Sequence, residues 1–172
     1  MTNQVTLKGK IIFDPKDKTR KHKKQASWKK VAMVVFEPNL KVINEGITGY
    51  YAWFIKKRYN LILNPPLRGA HVTFINDKES DMNGKWEDVK NKWNNKEIEL
   101  TISLEPRTDD KHWWVIVLHE DRGELHGIRA ELGLGRPYFG LHMTIGHANE
   151  KHHHHSQYIK KLIDKYGSNY YL

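Results

Sequence analysis

The chain reads Pro66-Leu67-Arg68-Gly69-Ala70-His71-Val72-Thr73, and the same pattern returns as Pro137-Tyr138-Phe139-Gly140-Leu141-His142-Met143-Thr144. Proline, glycine, histidine and threonine recur at identical spacing, so both stretches fit P-x-x-G-x-H-x-T. A single His-x-Thr is common by chance, whereas two copies with matching proline and glycine are a specific signal. The repeat therefore indicates a structural unit that occurs twice in the chain.

The spacing of histidine and threonine suits a β-strand, in which residues two positions apart point to the same face of a sheet. His71 and Thr73 then share one face, as do His142 and Thr144. We expect the two strands to be central neighbours related by a pseudo-two-fold axis. This arrangement directs two imidazoles and two hydroxyls into one cleft.

Two histidines and two threonines in one cleft are sufficient for acid–base cleavage of a phosphodiester. Because histidine titrates near neutral pH, one imidazole can accept a proton from the nucleophile while its protonated twin gives one to the leaving oxygen. Each role contributes roughly 10²–10⁴ in rate, and threonine hydroxyls can bind the phosphate oxygens. We predict His71, Thr73, His142 and Thr144 as the catalytic residues, with no metal and no cofactor. The alternative is two structural histidines on a solvated sheet face.

The composition is that of a single domain of 172 residues with enough chain for a core. No apolar run is long enough to span a membrane, and the polar N-terminus lacks the features of a signal peptide, so neither is expected. The chain has no cysteine. This excludes disulfides, cysteine-bound zinc and thiol nucleophiles, and it suits a cytoplasmic protein.

The formal net charge is +9, with an isoelectric point near 9.6. A basic balance attracts nucleic acid, nucleotides or a membrane surface, although solubility alone explains it equally well. The excess is concentrated between Lys16 and Lys30, where a solvated hairpin or loop is favoured over a nucleic-acid-binding arm. The run His152–His155 suggests a metal site, but consecutive residues fan out around a helix start. We favour a solvated loop with adventitious nickel or zinc affinity.

Apolar periodicity and proline or glycine breaks divide the chain into strands and helices. We predict strands at 5–13, 31–36, 70–75, 97–104, 113–118 and 141–146, and helices at 50–59, 84–93, 124–134 and 155–166. The two halves of the repeat span about 28–76 and about 97–148. The predicted fold is α+β: one bilobal domain over 1–172, built from two duplicated strand–helix halves whose central antiparallel sheets face one cleft.

The paired motifs resemble those of the 2H phosphoesterase superfamily, which has two H-x-[ST]-x-hydrophobic motifs in a duplicated, bilobal α+β fold. Here they read His71-Val72-Thr73-Phe74-Ile75 and His142-Met143-Thr144-Ile145-Gly146. The resemblance covers about 28–148. It implies that the two histidines are an acid–base pair and that the two threonines bind phosphate. Gly146 replaces the usual hydrophobic residue, and we expect this to widen the pocket.

Within that superfamily the chain is most similar to the phage anti-CBASS phosphodiesterases, which cleave the cyclic oligonucleotide signals of bacterial antiviral systems. The likeness lies in the opening stretch 8–15, in 51–57 and in 132–146. It implies a cyclic di- or trinucleotide, or another RNA-like 3′–5′ phosphodiester, as the substrate. The ribose 2′-hydroxyl attacks phosphorus to give a 2′,3′-cyclic phosphate, which water then opens. It also implies action in the host bacterial cytoplasm.

Two other functions fit the same residues. One keeps the chemistry and changes the substrate to RNA 2′,3′-cyclic phosphate ends or to 2′–5′ oligoadenylate, which the basic segment 16–30 would suit. The other is a protein without turnover that sequesters nucleotides or RNA in the cleft. Only the phosphodiesterases lose a measurable turnover when His71 or His142 is replaced.

Loops before each His-x-Thr strand should form the rim of the cleft. An aromatic side chain there can stack on a base, and an arginine can hold a phosphate. We predict Arg136, Tyr138 and Tyr51 as substrate-binding residues. For Tyr138, packing within the protein is an equal alternative. For Tyr51, as for Tyr50 and Trp53, core packing is the favoured alternative.

Two further features lie close to the second motif. His147 is one position out of register with His142 and Thr144, so it is expected to face away from them. Trp113 and Trp114 are adjacent in a strand, so one should face the core and the other should face outward. A structural role is favoured for both tryptophans.

Overall fold

The computed structural model describes residues 4–15, 30–36, 46–64, 66, 70–76, 84–119, 123–137, 139–148 and 153–166. The basic segment from 16 to 29 and the candidate residue Tyr138 lie outside these ranges. The described residues form eight strands and four helices. The strands are β1 (Gln4–Phe13), β2 (Ala32–Phe36), β3 (Leu63–Asn64), β4 (His71–Ile75), β5 (Glu97–Ser103), β6 (Arg107–Thr108), β7 (His112–Ile116) and β8 (His142–Ala148). The helices are α1 (Gly46–Tyr59), α2 (Trp86–Trp93), α3 (Glu124–Glu131) and α4 (His153–Tyr166).

The structure is α+β, and each of the six strands and four helices predicted from the sequence is present. Helix α1 begins at Gly46, earlier than predicted, and α4 begins at His153. The expectation of a loop is therefore wrong for His153–His155, which belong to the first turn of α4. Strands β3 and β6 were not predicted, because two residues are too few to show an alternating pattern.

The strands form one sheet in the order β5-β1-β2-β4-β8-β7-β6, with β3 paired to β8. All of the strand pairs are antiparallel. The expectation of two sheets that face a cleft is not met, because the eight described strands form a single sheet. The expectation that the two His-x-Thr strands are central neighbours is confirmed, since β4 pairs with β8 in the middle of this sheet. Their outer neighbours are β2 and β7, the strands that precede α1 and α3.

The sheet curls into a half-barrel, and its two sides meet at β5. Ile102 of β5 forms an isolated antiparallel bridge with Val117, just beyond β7. Nearby, the backbone N–H of Leu118 donates to the carbonyl oxygen of Thr101 at 2.8 Å. The twist common to β-sheets supplies the curl. The curl brings the edge strand β5 next to Val117 and Leu118, the residues that follow β7.

One face of the curled sheet and the helices packed on it enclose the core. Strand β5 shows the alternation clearly, with Ile98, Leu100 and Ile102 buried between exposed or half-buried neighbours. Helices α1 and α3 each contribute one apolar face, and their buried core residues are Tyr51, Ile55, Tyr59, Leu125 and Ile128, followed by Leu132 at the end of α3. We call the opposite side, which carries the histidines and threonines of both motifs, the open face of the sheet.

Asp14 ties the end of β1 to the start of β2 and to α2. Its carboxylate accepts hydrogen bonds from the backbone N–H of Lys30 at 2.6 Å, from Nε1 of Trp86 at 3.1 Å and from Nζ of Lys90 at 2.9 Å. Burial opposes ionisation of Asp14, but these hydrogen bonds outweigh it and hold the pKa of the carboxyl below its ordinary value. Asp14 therefore fixes three segments through one ionised group.

Within the described residues, no helix combines the length and the apolar character needed to cross a membrane.

Candidate active site

The two His-x-Thr motifs lie on strands whose burial alternates as the sequence predicts. In β4, His71 and Thr73 are half-buried while Val72 and Phe74 are buried. In β8, His142 is exposed and Thr144 half-buried, with Met143 buried between them. The apolar residues of each motif enter the core and hold the strand in place. The polar residues are consequently displayed on the open face.

The pairing of the two strands brings the four polar side chains together. Val72 of β4 is the antiparallel partner of Met143 in β8. Antiparallel register then sets Thr73 opposite His142 and His71 opposite Thr144. Directly opposed residues have Cβ atoms about 4.5–5.5 Å apart. Each histidine therefore faces the threonine of the other strand across a local two-fold relation centred on the Val72–Met143 pair.

A register shift follows the threonine in both motifs. In β4, Thr73 pairs with Met33 and Ile75 with Ala32, so Phe74 is an extra residue relative to β2. In β8, Thr144 pairs with Trp114 and Gly146 with Trp113, so Ile145 is extra relative to β7. Each bulge places two consecutive residues in the core, as the burial of these positions shows. The two strands thus share a bulge at the same motif position.

The carbonyl of the extra residue Phe74 is held by a buried arginine. Arg129 of α3 is 2% exposed, and its Nη1 donates to the Phe74 oxygen at 2.6 Å. Its Nε donates to the carbonyl of Gly135 at 2.8 Å. Arg129 therefore links the helix that precedes β8 to the bulge that follows Thr73.

The ring of His142 is oriented by a backbone carbonyl. Its Nδ1 lies 2.9 Å from the oxygen of Gly140. Because a carbonyl oxygen only accepts hydrogen bonds, Nδ1 carries the proton and donates. Nε2 of the neutral ring is therefore the nitrogen with a free lone pair, and it gains a proton in the imidazolium form. The exposed His142 can act as a base or as an acid through Nε2.

Trp114 lies beside both residues of the second motif. It is the β7 partner of Thr144, and its ring centroid is 6.3 Å from that of His142, edge to face. The expected split of the tryptophan pair is confirmed, since Trp113 is fully buried and Trp114 half-buried. A purely structural role was favoured for Trp114, and its contact with His142 was missed. Alternation with the buried Trp113 and Val115 was the signal that places it on the open face.

Cationic side chains lie on both sides of the motifs along the row that crosses them, but the row ends at Glu97 of β5, the partner of Lys10. Successive pairings run from β1 across the sheet to β6 through Lys10, Val35, His71, Thr144, Trp114 and Arg107. Lys10 and Arg107 are exposed. With neighbouring strands about 4.8 Å apart, each cation stands within about 10–15 Å of the imidazoles. Lys10 and Arg107 therefore favour an anion between them, while the exposed Glu97 offsets part of the positive charge at the β5 end of the row.

The prediction that His147 faces away from the site is wrong. The bulge at Ile145 restores the alternation, so His147 pairs directly with His112 of β7 and shares the open face with Thr144. Burial lowers the pKa of His147, and the neighbouring His112 and Lys111 lower it further. An extra residue in a strand cannot be read from period-two spacing.

Gly146 does not widen the pocket. It is buried beside β3, and a Cβ atom placed on it would lie 2.8 Å from the carbonyl oxygen of Asn64 and 2.9 Å from Cβ of Leu63. The missing side chain is thus replaced by the backbone of β3. The glycine allows β3 to approach β8, where Leu63 pairs with Ala148 and Asn64 with His147.

Among the predicted substrate-binding residues, Tyr51 is a correction. Its side chain is fully buried, and its hydroxyl donates to the carbonyl of Leu104 at 2.9 Å. Burial raises the pKa of that hydroxyl well above its ordinary value. Tyr51 is therefore a core residue. Tyr50 and Trp53, for which packing was favoured, are instead exposed on α1 at 46% and 58%. Arg136 is exposed in the loop that leads to the second motif.

The described residues contain no group of three or more histidine or acidic side chains arranged to hold a metal ion. Comparison of the chain with protein-family models, with curated proteins and with solved structures gives no match. The geometry of the open face is therefore the strongest indication of function that the molecule offers.

Proposed function

We propose that this protein is a metal-independent phosphodiesterase that cleaves the 3′–5′ bonds of cyclic di- and oligonucleotides. The observation that carries the proposal is the antiparallel pairing of Val72 with Met143. It sets two imidazoles and two hydroxyls around one point on a face that carries Lys10 on one side of the motifs and Arg107 on the other. One phosphate group can then contact an acid, a base and two hydrogen-bond donors at once.

The reaction follows from these groups. A neutral imidazole removes the proton of the ribose 2′-hydroxyl, and the 2′-oxygen forms a bond to phosphorus. The bond from phosphorus to the 5′-oxygen breaks as the second, protonated imidazole delivers its proton to that oxygen. Water then opens the 2′,3′-cyclic phosphate by the same steps in reverse. Thr73 and Thr144 donate to the non-bridging oxygens and hold phosphorus in line between the histidines.

The near-symmetry of the site supports an internal duplication. Strand β2, helix α1 and strand β4 have the same order and antiparallel pairing as β7, α3 and β8. Both His-x-Thr strands also carry a bulge directly after threonine. We therefore interpret the halves as copies of one ancestral unit, as the resemblance to 2H phosphoesterases implies.

The proposed biological substrate follows from the likeness to phage anti-CBASS phosphodiesterases. The protein would remove a cyclic oligonucleotide signal of bacterial antiviral immunity in the host cytoplasm. A substrate that carries one phosphate per nucleotide and a 2′-hydroxyl beside each phosphate fits both the basic balance of the chain and the mechanism.

The test is incubation of the purified protein with 3′,3′-cyclic dinucleotides and cyclic trinucleotides in excess EDTA, with products separated by chromatography. We expect cleavage by the wild type and losses of roughly 10²–10⁴ in kcat for His71→Gln and His142→Gln. His119→Asn is the matched control, since it replaces an exposed histidine in a turn outside both motifs. Survival of every substrate overturns the proposal. Stoichiometric binding without turnover would indicate a sequestering protein instead.

The dependence of the rate on pH tests the two-histidine mechanism separately. One imidazole must be neutral and the other protonated, so kcat/KM should rise and then fall between about pH 5 and pH 9. A flat profile across this range contradicts the mechanism. Replacement of either histidine should remove one limb of the bell in any residual activity.

A further inference from the structure

A second pair of histidines lies on the open face, next to the candidate active site. His147 of β8 and His112 of β7 are direct cross-strand partners. They follow Thr144 and Trp114 on the same two strands. His147 is half-buried, and among the described residues its ring has no hydrogen-bond partner. An imidazole in this position has ring nitrogens available to a ligand.

The groups around this pair are mixed in charge and well defined. His112 is exposed, and its Nδ1 lies 3.3 Å from Oδ2 of Asp109. Asp109 also accepts from the backbone N–H groups of His112 and Lys111 at 2.7 and 3.0 Å. Although burial opposes it, these bonds hold the pKa of the Asp109 carboxyl below its ordinary value. The carboxylate of Asp109 therefore contacts its own loop and Nδ1 of His112, and it does not engage Nε2 of that ring.

The other described neighbours of His147 are one neutral, one basic and one acidic residue. Asn64 of β3 is its partner on the side away from His112. Lys111 lies at the start of β7, and its positive charge acts on His147. Asp110, in the same turn, contacts Gln157 of α4 at 3.4 Å. The described surroundings of His147 thus combine N–H donors and the positive charge of Lys111 with the carboxylate of Asp110, which accepts a hydrogen bond from Gln157.

The distance from the candidate active site suits a neighbouring phosphate. His112 is two residues from Trp114 along β7, a step of about 7 Å in a strand. Trp114 and His112 are the partners of Thr144 and His147. The same step therefore separates Thr144 from His147 along β8. A ligand that bound one phosphate at Thr144 would place an adjacent phosphate of the same nucleotide chain near the second pair.

We propose that His112 and His147 form a second phosphate-binding subsite, which holds the phosphate next to the scissile one. This inference rests on the proposed function and narrows it to substrates with at least two phosphates, such as cyclic dinucleotides. A nucleoside 2′,3′-cyclic monophosphate would leave the subsite empty. The subsite therefore favours the cyclic oligonucleotide over a substrate that carries a single phosphate.

Protonation should be coupled to binding at this subsite. Because burial, with a smaller effect of the neighbouring His112 and Lys111, lowers the pKa of His147 from its ordinary value, the neutral ring is favoured in the free protein. A phosphate beside it stabilises the imidazolium form, so binding takes up a proton. Affinity for a two-phosphate ligand should accordingly increase as the pH falls from about 7.5 to about 6.

The test measures binding with probes that the mechanism cannot cleave. A cyclic di-2′-deoxynucleotide lacks the attacking hydroxyl and carries two phosphates, whereas a 2′-deoxynucleoside 3′-monophosphate carries one. In His147→Asn and, separately, His112→Asn, we expect Kd for the first probe to rise about tenfold and Kd for the second to stay within about twofold. His119→Asn should change neither, and a thermal melt verifies that each variant is folded.

Equal effects on both probes, or no effect on either, would overturn the subsite. This outcome is distinct from failure of the proposed function, which appears as absence of cleavage by the wild type. If the wild type cleaves cyclic dinucleotides, His147→Asn should raise KM and leave kcat within about threefold, because the residue does not touch the reacting atoms. Calorimetry in two buffers of different ionisation enthalpy measures the proton uptake, which His147→Asn should reduce.

Discussion

One hydrogen bond determines which nitrogen of the neutral His142 ring carries the proton. The Gly140 carbonyl accepts a hydrogen bond from Nδ1–H, and Nε2 has the free lone pair. Gly140 is the glycine of the repeated P-x-x-G-x-H-x-T pattern. Its contribution to the motif is therefore more than flexibility, because its carbonyl sets the tautomer of the histidine two residues later.

Trp114 provides a test of substrate stacking at the level of a single side chain. Its ring lies beside His142 and Thr144 on the open face. Because stacking on a base contributes about 1–3 kcal/mol, Trp114→Ala should raise KM for a cyclic dinucleotide by about tenfold or more and lower kcat less. Steady-state kinetics measure both values. Trp53→Ala is the matched control at an exposed tryptophan of α1, and an equal effect there would contradict the assignment.

Gly146 provides a test of the contact between β3 and β8. A methyl group at this position would meet the backbone of Asn64 at 2.8 Å, so Gly146→Ala must displace β3. We expect the free energy of unfolding to fall by about 1–3 kcal/mol, measured by urea denaturation. The control is Gly127→Ala at an exposed position of α3, where the added methyl group meets nothing within 4 Å. That change should be neutral or stabilising by up to about 1 kcal/mol, and a loss at Gly146 no larger than at Gly127 would contradict the contact.

At the scale of elements, Arg129 couples α3 to β4. Arg129→Met leaves the buried Phe74 carbonyl without this donor and should lower the free energy of unfolding by about 1–3 kcal/mol. Arg129→Lys keeps the charge but lacks the planar fork that reaches both Phe74 and Gly135, so it should recover only part of the loss. Full stability of the methionine variant in urea denaturation would show that the link is unimportant.

The strands and helices were predictable from apolar spacing, but the bulges were not. The motif spacing placed His71, Thr73, His142 and Thr144 on one side of their strands, and the structure has them there. The extra residue Ile145 continues the apolar alternation of Leu141 and Met143, so its identity does not indicate a shift of register. That shift alone moved His147 to the open face. Period-two spacing therefore predicts the face on which a residue lies only up to the next bulge in the strand.

Other errors arose from packing that the pattern does not contain. Tyr51 and Trp53 belong to the same turn of α1 and are both aromatic, yet one is fully buried and the other 58% exposed. Which of them enters the core depends on where the helix lies on the sheet. Arg129 likewise sits beside the buried Ile128, and its hydrogen bonds to the carbonyls of Phe74 and Gly135 help to account for a charged group there.

At the scale of the whole molecule, the stability should decrease in acid because of Asp14. The pKa of Asp14 is lowered from 3.8 in the folded protein, so its stabilising effect is present above that value and is lost as the pH falls through the lower, folded pKa. Thermal melts should show Tm decreasing below about pH 4. In Asp14→Asn, Tm should be lower at neutral pH and the further decrease in acid smaller. An unchanged acid limb in this variant would contradict the assignment.

The sequence predicted two sheets that face each other, whereas the structure has one continuous curled sheet. The repeat predicted two similar halves, but it contained no information about how their edges meet. The bridge between Ile102 and Val117 and the pair Val72–Met143 are contacts between residues far apart in the chain. Such contacts depend on sheet twist and strand register, which short motifs do not specify.

The junction between β4 and β8 has a mechanical consequence. Among the described residues, Val72 and Met143 are the one registered pair that joins these strands, whereas β1 and β5 are matched along all of Gln4–Lys10. This junction thus has the fewest registered pairs in the described sheet, and the four motif side chains lie on both sides of it. A ligand that contacts side chains of both strands would link β4 to β8 where the backbone pairing is sparsest. Binding of the substrate would then reduce the relative motion of the two strands and contribute to the rigidity of the sheet.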